Sequence, residues 1–135
     1  MRTYDKHRVV IDTNILVSAL LNPKGRSARF LEDVFDEKYE IVVTDSIFKE
    51  YANVLSRFGF HIKSNAREFV LQWIYENALF VEVKEADYPK SEMPDPTDAP
   101  FFVAARATGA LLVTGNCKHY PVTEWRTMVW ELVEK

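Results

Sequence analysis

The sequence predicts a three-layer α/β/α sandwich around a central, mostly parallel sheet, and three observations predict it. Short aliphatic runs, Val9-Val10-Ile11, Ile41-Val42-Val43 and Leu111-Leu112-Val113, recur without polar alternation, the pattern of strands buried on both faces. Between them, apolar residues return at three- and four-residue spacing, as on helices that bury one stripe. Polar or Gly/Pro breaks separate the two kinds of segment. Strands that alternate with helices run parallel, because a parallel pair needs a crossover connection. A chain of 135 residues makes one such domain, residues 1–135, with one core.

The elements follow in order. After the strand at 9–11, Asp12-Thr13-Asn14 is a polar turn and Ile15, Leu16, Ala19 and Leu20 begin a helix that Asn22-Pro23-Lys24-Gly25 breaks. Ala28, Leu31, Val34 and Phe35 mark a second helix. The strand at 41–43 leads through the capping types Thr44, Asp45 and Ser46 into a helix striped by Ile47, Tyr51, Val54, Leu55 and Phe58, which Gly59 stops. Another helix runs from about Asn65 through Phe69, Trp73 and Ile74, and a short strand is expected at Phe80–Val83. The Pro-containing, acidic stretch from Lys84 to Thr97 reads as a loop. Phe101, Phe102, Ala104, Ala105 and Ala107 then form a helix closed by Gly109, ahead of the strand at 111–113. Met128 to Leu132 fits either a last strand or a helical turn.

The composition is 47% hydrophobic and 27% charged, which excludes disordered, collagen-like and disulfide-scaffold classes. With 17 Lys and Arg against 20 Asp and Glu, the net charge of -3 leaves any polyanion to be held by a local basic patch. Cys117 is the one cysteine, so neither an internal disulfide nor a thiolate metal cluster is possible. The opening residues lack the apolar core of a signal peptide, and no run is long enough to span a membrane, so the expected location is cytoplasmic, with no membrane partner.

In parallel sheets, ligands bind at the carboxyl ends of the strands, where three acids fall. Asp12 directly follows the first strand; alone, it would read as a helix cap. Glu50 stands at the edge of the apolar stripe near the start of its helix, where a structural acid would gain only tenths of a kcal/mol from the helix dipole. Asp98 precedes Ala99-Pro100 and so occupies or adjoins an N-cap. Together, three carboxylates from three strand-helix junctions would repel one another unless a cation or raised pKa values relieved them. Oxygen donors without Cys or paired His point to a hard ion, Mg²⁺ or Mn²⁺. His7, His61 and His119 lack the spacing of a zinc site.

These residues, in this order, resemble the PIN-domain family of metal-dependent ribonucleases. The matching segments are Val10-Ile11-Asp12-Thr13-Asn14-Ile15-Leu16, Glu50, Asp95-Pro96-Thr97-Asp98-Ala99-Pro100-Phe101-Phe102 and Val113-Thr114-Gly115-Asn116, and the resemblance runs from Val9 to about Pro121. It is closest to the toxins of toxin-antitoxin pairs, whose last motif continues, as here, into Lys118, His119 and Tyr120-Pro121. The resemblance implies hydrolysis of RNA phosphodiesters with Asp12 and Asp98 as metal ligands and Glu50 as a ligand or water-mediated partner. It also implies an antitoxin protein as partner and a homodimer. Many relatives carry a fourth acid where this chain has Asn116, whose amide offers an oxygen without the charge, so one tightly held ion is expected. Thr13 and Asn14 would orient Asp12, touch a phosphate or simply cap the helix. Lys24, Arg26, Arg29, Thr114, Lys118 and His119 are the candidate contacts for RNA, the charged ones through its phosphates.

Two other functions compete. Asn116 in place of an acid also fits a catalytically weak PIN-like module that binds RNA or a partner protein without cutting. A phosphoacceptor role for Asp12 fits less well: Asn14 stands where a dehalogenase-type phosphatase has a second aspartate, and no Lys directly follows the strand at 111–113 as a receiver domain requires.

Overall fold

The computed structural model describes residues 7–84, 98–115, 120 and 126–133. The chain runs β1 (His7–Ile11), α1 (Thr13–Leu21), α2 (Arg26–Phe35), β2 (Tyr39–Val43), α3 (Asp45–Ser56), a 3₁₀ turn (Gly59–His61) and α4 (Ser64–Asn77). It continues through β3 (Leu79–Phe80), α5 (Ala99–Thr108), β4 (Leu111–Thr114), β5 (Arg126–Met128) and α6 (Val129–Leu132). The five strands stand in the order β3-β2-β1-β4-β5, and every pairing is parallel.

The three expected apolar runs are the three central strands. Val9, Val10, Ile11, Val42, Val43, Leu112 and Val113 are each 0% exposed. Successive strand residues point to opposite faces, so zero exposure on consecutive residues means that helices cover both faces of the sheet. Phe30, Tyr51 and Phe101, from α2, α3 and α5, are the largest fully buried side chains among the described residues of the core.

Two local expectations are refined. β3 occupies Leu79–Phe80 instead of Phe80–Val83, because its partner β2 ends at Val43, where Thr44 caps α3. The Val81 amide still donates to the Val43 carbonyl at 2.9 Å, and Glu82 and Val83 lie beyond β2's last residue. The C-terminal stretch is both of the alternatives, a strand at Arg126–Met128 followed at once by a helical turn. Of the loop expected at Lys84 to Thr97, all but Lys84 lies outside the described residues.

The order 3-2-1-4-5 reverses direction between β1 and β4. The chain steps from β1 outward to β2 and β3, then returns to β1's other side for β4 and β5. Connections running opposite ways from two adjacent strands leave a crevice at their carboxyl ends, the ordinary ligand position in open α/β sheets. β1 ends there in Asp12 and β4 in Thr114.

Candidate active site

Asp12 is 4% exposed, and its backbone amide donates to the Val113 carbonyl at 2.9 Å, which extends the β1–β4 ladder one residue into the crevice. Its two carboxylate oxygens are used differently. Oδ1 accepts from the Asn14 amide at 3.2 Å and so caps α1. Oδ2 accepts two hydroxyls, Thr114 Oγ1 at 3.1 Å and Tyr120 Oη at 3.1 Å. All three donors are neutral, and the described ion pairs, Arg8–Glu40 and Lys38–Asp33, do not involve Asp12 or Glu50. Among the described residues the donors to Asp12 are all neutral, an arrangement that leaves room for a cation beside a buried carboxylate.

The β2–α3 junction supplies the second acid. Thr44 caps α3 by accepting the Ile47 amide at 3.1 Å, and this fixes where the helix's second turn falls. Neighbouring residues there do different work. Tyr51 is fully buried and donates its hydroxyl to the Ile11 carbonyl at 2.6 Å, one residue before Asp12. Glu50 is half-buried, and its Oε2 accepts Thr13 Oγ1 at 3.1 Å. Thr13 thus orients Glu50 while the Asn14 backbone caps through Asp12.

Asp98 stands at the N-cap of α5 with αR backbone angles and no side-chain capping bond, so capping does not account for it. Its charge is felt nearby. Burial above all, then the carboxylates of Asp12 and Asp98, push the Tyr120 hydroxyl far above the ordinary tyrosine range. Burial, Asp12 and Glu50 do the same to Tyr51. Each tyrosine thus lies near Asp12 and near one of the other two acids, Tyr51 near Glu50 and Tyr120 near Asp98.

Among the described residues, no three His, Cys, Asp or Glu side chains form a ready-made metal cage. A hard ion such as Mg²⁺ does not require one, since it binds through one or two carboxylates and completes its shell with water. The oxygen-only donors of Asp12, Glu50 and Asp98 fit such an ion and not a soft one.

The remaining candidates divide by position. Thr114 is fully buried, and its hydroxyl is given to Asp12. Lys24 and Arg26 follow the carboxyl end of α1, whose nine residues rise about 14 Å from Asp12 at the other end. Asn116 and Lys118, with Cys117 and His119, lie outside the described residues. The sequence names Tyr51 only as part of a helical stripe and Tyr120 only as the end of the last motif, and assigns neither a role beside the acids. A tyrosine in an apolar helical stripe needs a partner for its hydroxyl, and that signal was available for Tyr51; Tyr120 lies 108 residues from the acid it touches and offers no local signal.

A family model described as PIN domain matches residues 8–118. An uncharacterized protein of Methanocaldococcus jannaschii is 47% identical over 45 residues, which is 33% of this chain and 29% of that one, so the match spans under a third of that protein. Among solved structures, the fold is similar to VapBC2 from Rickettsia felis, determined bound to a DNA fragment from their promoter. That match has 16% identity and a TM-score of 0.60, over 90% of this chain and 98% of that one. It is also similar to PAE2754 from Pyrobaculum aerophilum, at 17% identity and a TM-score of 0.63 over 94% and 92% of the two chains.

Proposed function

This chain belongs to the PIN-domain family, and from that premise we propose that it is an Mg²⁺- or Mn²⁺-dependent endoribonuclease, the toxin of a toxin-antitoxin pair. The observation that carries the nuclease reading is the buried carboxylate of Asp12, set at the sheet's reversal among neutral donors, with Glu50 and Asp98 in the same field. Asp12 and Asp98 hold the ion, and Glu50 holds it directly or through a water. When bound, the ion supplies a positive charge against the phosphoryl oxygens and a more acidic water to attack phosphorus. The protein's part is to aim oxygens. Thr114 and Tyr120 keep the Asp12 carboxylate from turning, and Thr13 holds the Glu50 carboxylate through one hydroxyl.

The toxin role, the antitoxin partner, the homodimer and a cytoplasmic setting belong to the same proposal. The resemblance of the motifs supports them, and a fold shared with VapBC2, which was captured on promoter DNA, supports the toxin role and the antitoxin partner. No helix among the described residues is long and apolar enough to cross a membrane.

The test is cleavage of labelled single-stranded RNA with Mg²⁺ or Mn²⁺. Cutting should vanish with a chelator and fall at least about 100-fold in Asp12→Asn and Asp98→Asn protein. RNA that is bound and left intact with every divalent ion would overturn the nuclease reading in favour of a binding module.

A further inference from the structure

Among the described residues, three hydrogen bonds reach the Asp12 carboxylate, and its two oxygens share them unequally. Each carboxylate oxygen has two lone pairs. On Oδ2 both are taken, by the Thr114 and Tyr120 hydroxyls at 3.1 Å each. On Oδ1 one is taken, by the Asn14 amide, and no other described residue donates to it. Thr114 is built into β4, so its donor arrives with the sheet. Tyr120 comes from the segment between β4 and β5, and its main chain is itself held: Arg126 Nη1 donates to the Tyr120 carbonyl at 2.8 Å. Arg126 is fixed in turn by the register of β5 on β4, where it stands opposite Leu112. A chain of contacts therefore runs from the last strand to the first acid.

We propose that Tyr120, anchored by Arg126, is a positioning residue that with Thr114 saturates Oδ2 of Asp12, so that Asp12 meets a divalent ion through Oδ1 alone. The inference rests on the metal-dependent reading of this site. It gives the edge strand β5 a task beyond closing the sheet, since β5 holds the segment that stops the carboxylate from rotating. A rotating carboxylate would offer the ion two geometries and lose affinity, the usual effect of removing a hydrogen-bond partner from a metal ligand.

The experiment titrates the full chain with Mn²⁺ alone, reading free Mn²⁺ by electron paramagnetic resonance, for wild type, Tyr120→Phe, Arg126→Ala and the double variant. Circular dichroism checks that each is folded. Tyr120→Phe should weaken Mn²⁺ binding at least about 10-fold, and Arg126→Ala should weaken it in the same direction. Adding Arg126→Ala to Tyr120→Phe should change little, because both act through one hydroxyl. In RNA cleavage, kcat should fall while KM holds. Should Tyr120→Phe not fold, Arg126→Ala set against Arg126→Lys decides, with the lysine restoring part of the affinity. Mn²⁺ affinity in folded Tyr120→Phe within twofold of wild type, or effects of the two changes that simply add, would overturn the inference and leave the nuclease reading standing. Wild-type protein that binds no Mn²⁺ sinks both.

Discussion

At Asp12 one side chain performs two tasks that usually belong to different residues. Its Oδ1 caps α1, as an aspartate after a strand is expected to do, and its Oδ2 collects two hydroxyls in the interior. The adjacent Thr13 has a single task, holding Glu50. Replacing Thr13 by Val should cost about 1 kcal/mol of stability in urea unfolding and slow cleavage, and Thr13→Ser should restore both, because a hydroxyl to a carboxylate is the only group lost. The tyrosines predict alkaline behaviour. Burial and neighbouring carboxylates raise the hydroxyls of Tyr51 and Tyr120 above their unfolded value. Above about pH 10 the unfolded chain loses protons that the native state keeps, so stability is intact below that pH and falls as pH rises. The expected slope approaches about 1.4 kcal/mol per pH unit for each such tyrosine. Denaturant midpoints from pH 9 to 11 should fall less steeply in Tyr120→Phe than in wild type, and equal slopes would rule this origin out.

At the scale of elements, α3 and α5 do most to build the site. In α3, adjacent positions face different surroundings, so Tyr51 enters the core toward β1 while Glu50 stays at its edge. The apolar stripe read from the sequence already placed both, since an acid beside the stripe and a tyrosine within it are set by helical spacing. In α5, Pro at the first turn and Gly109 just past the end bracket the helix as its sequence indicated. Gly109 has φ 72°, a left-handed conformation in which a side chain is strained even though no atom would crowd it. Gly109→Ala should lower stability by about 1 kcal/mol through backbone strain alone. Thermal unfolding checks this, and no loss of Tm would mean that the cap relaxes. β3 and the C-terminal stretch were less legible. The length of β3 is set by where β2 stops, and Arg126–Met128 becomes a strand because β4 offers a parallel edge. Neither cause is written in the residues of the segment itself.

At the scale of the molecule, the proposed ion site, with Asp12 buried and Glu50 and Asp98 half-buried, would link metal binding to folding. An ion bound by the native state alone would stabilise it by RT ln(1 + [L]/Kd). At an Mn²⁺ concentration of about 100 times Kd the native state should gain about 2.7 kcal/mol. This should read as a rise in Tm that a chelator reverses and that Asp12→Asn protein lacks; an equal rise in the variant would place the ion elsewhere. The sequence by itself determined the α/β class, the three central strands and most of the helices, because each rests on a local period or on a residue type at an element's end. Only the tertiary structure decided the strand order, the ends of β3, the dual nature of the C-terminal stretch and the hold of Tyr120 on Asp12. Those depend on contacts between residues far apart in the chain, 108 positions in the case of Tyr120, and such contacts exist only once loop closure and sheet register have brought distant segments side by side.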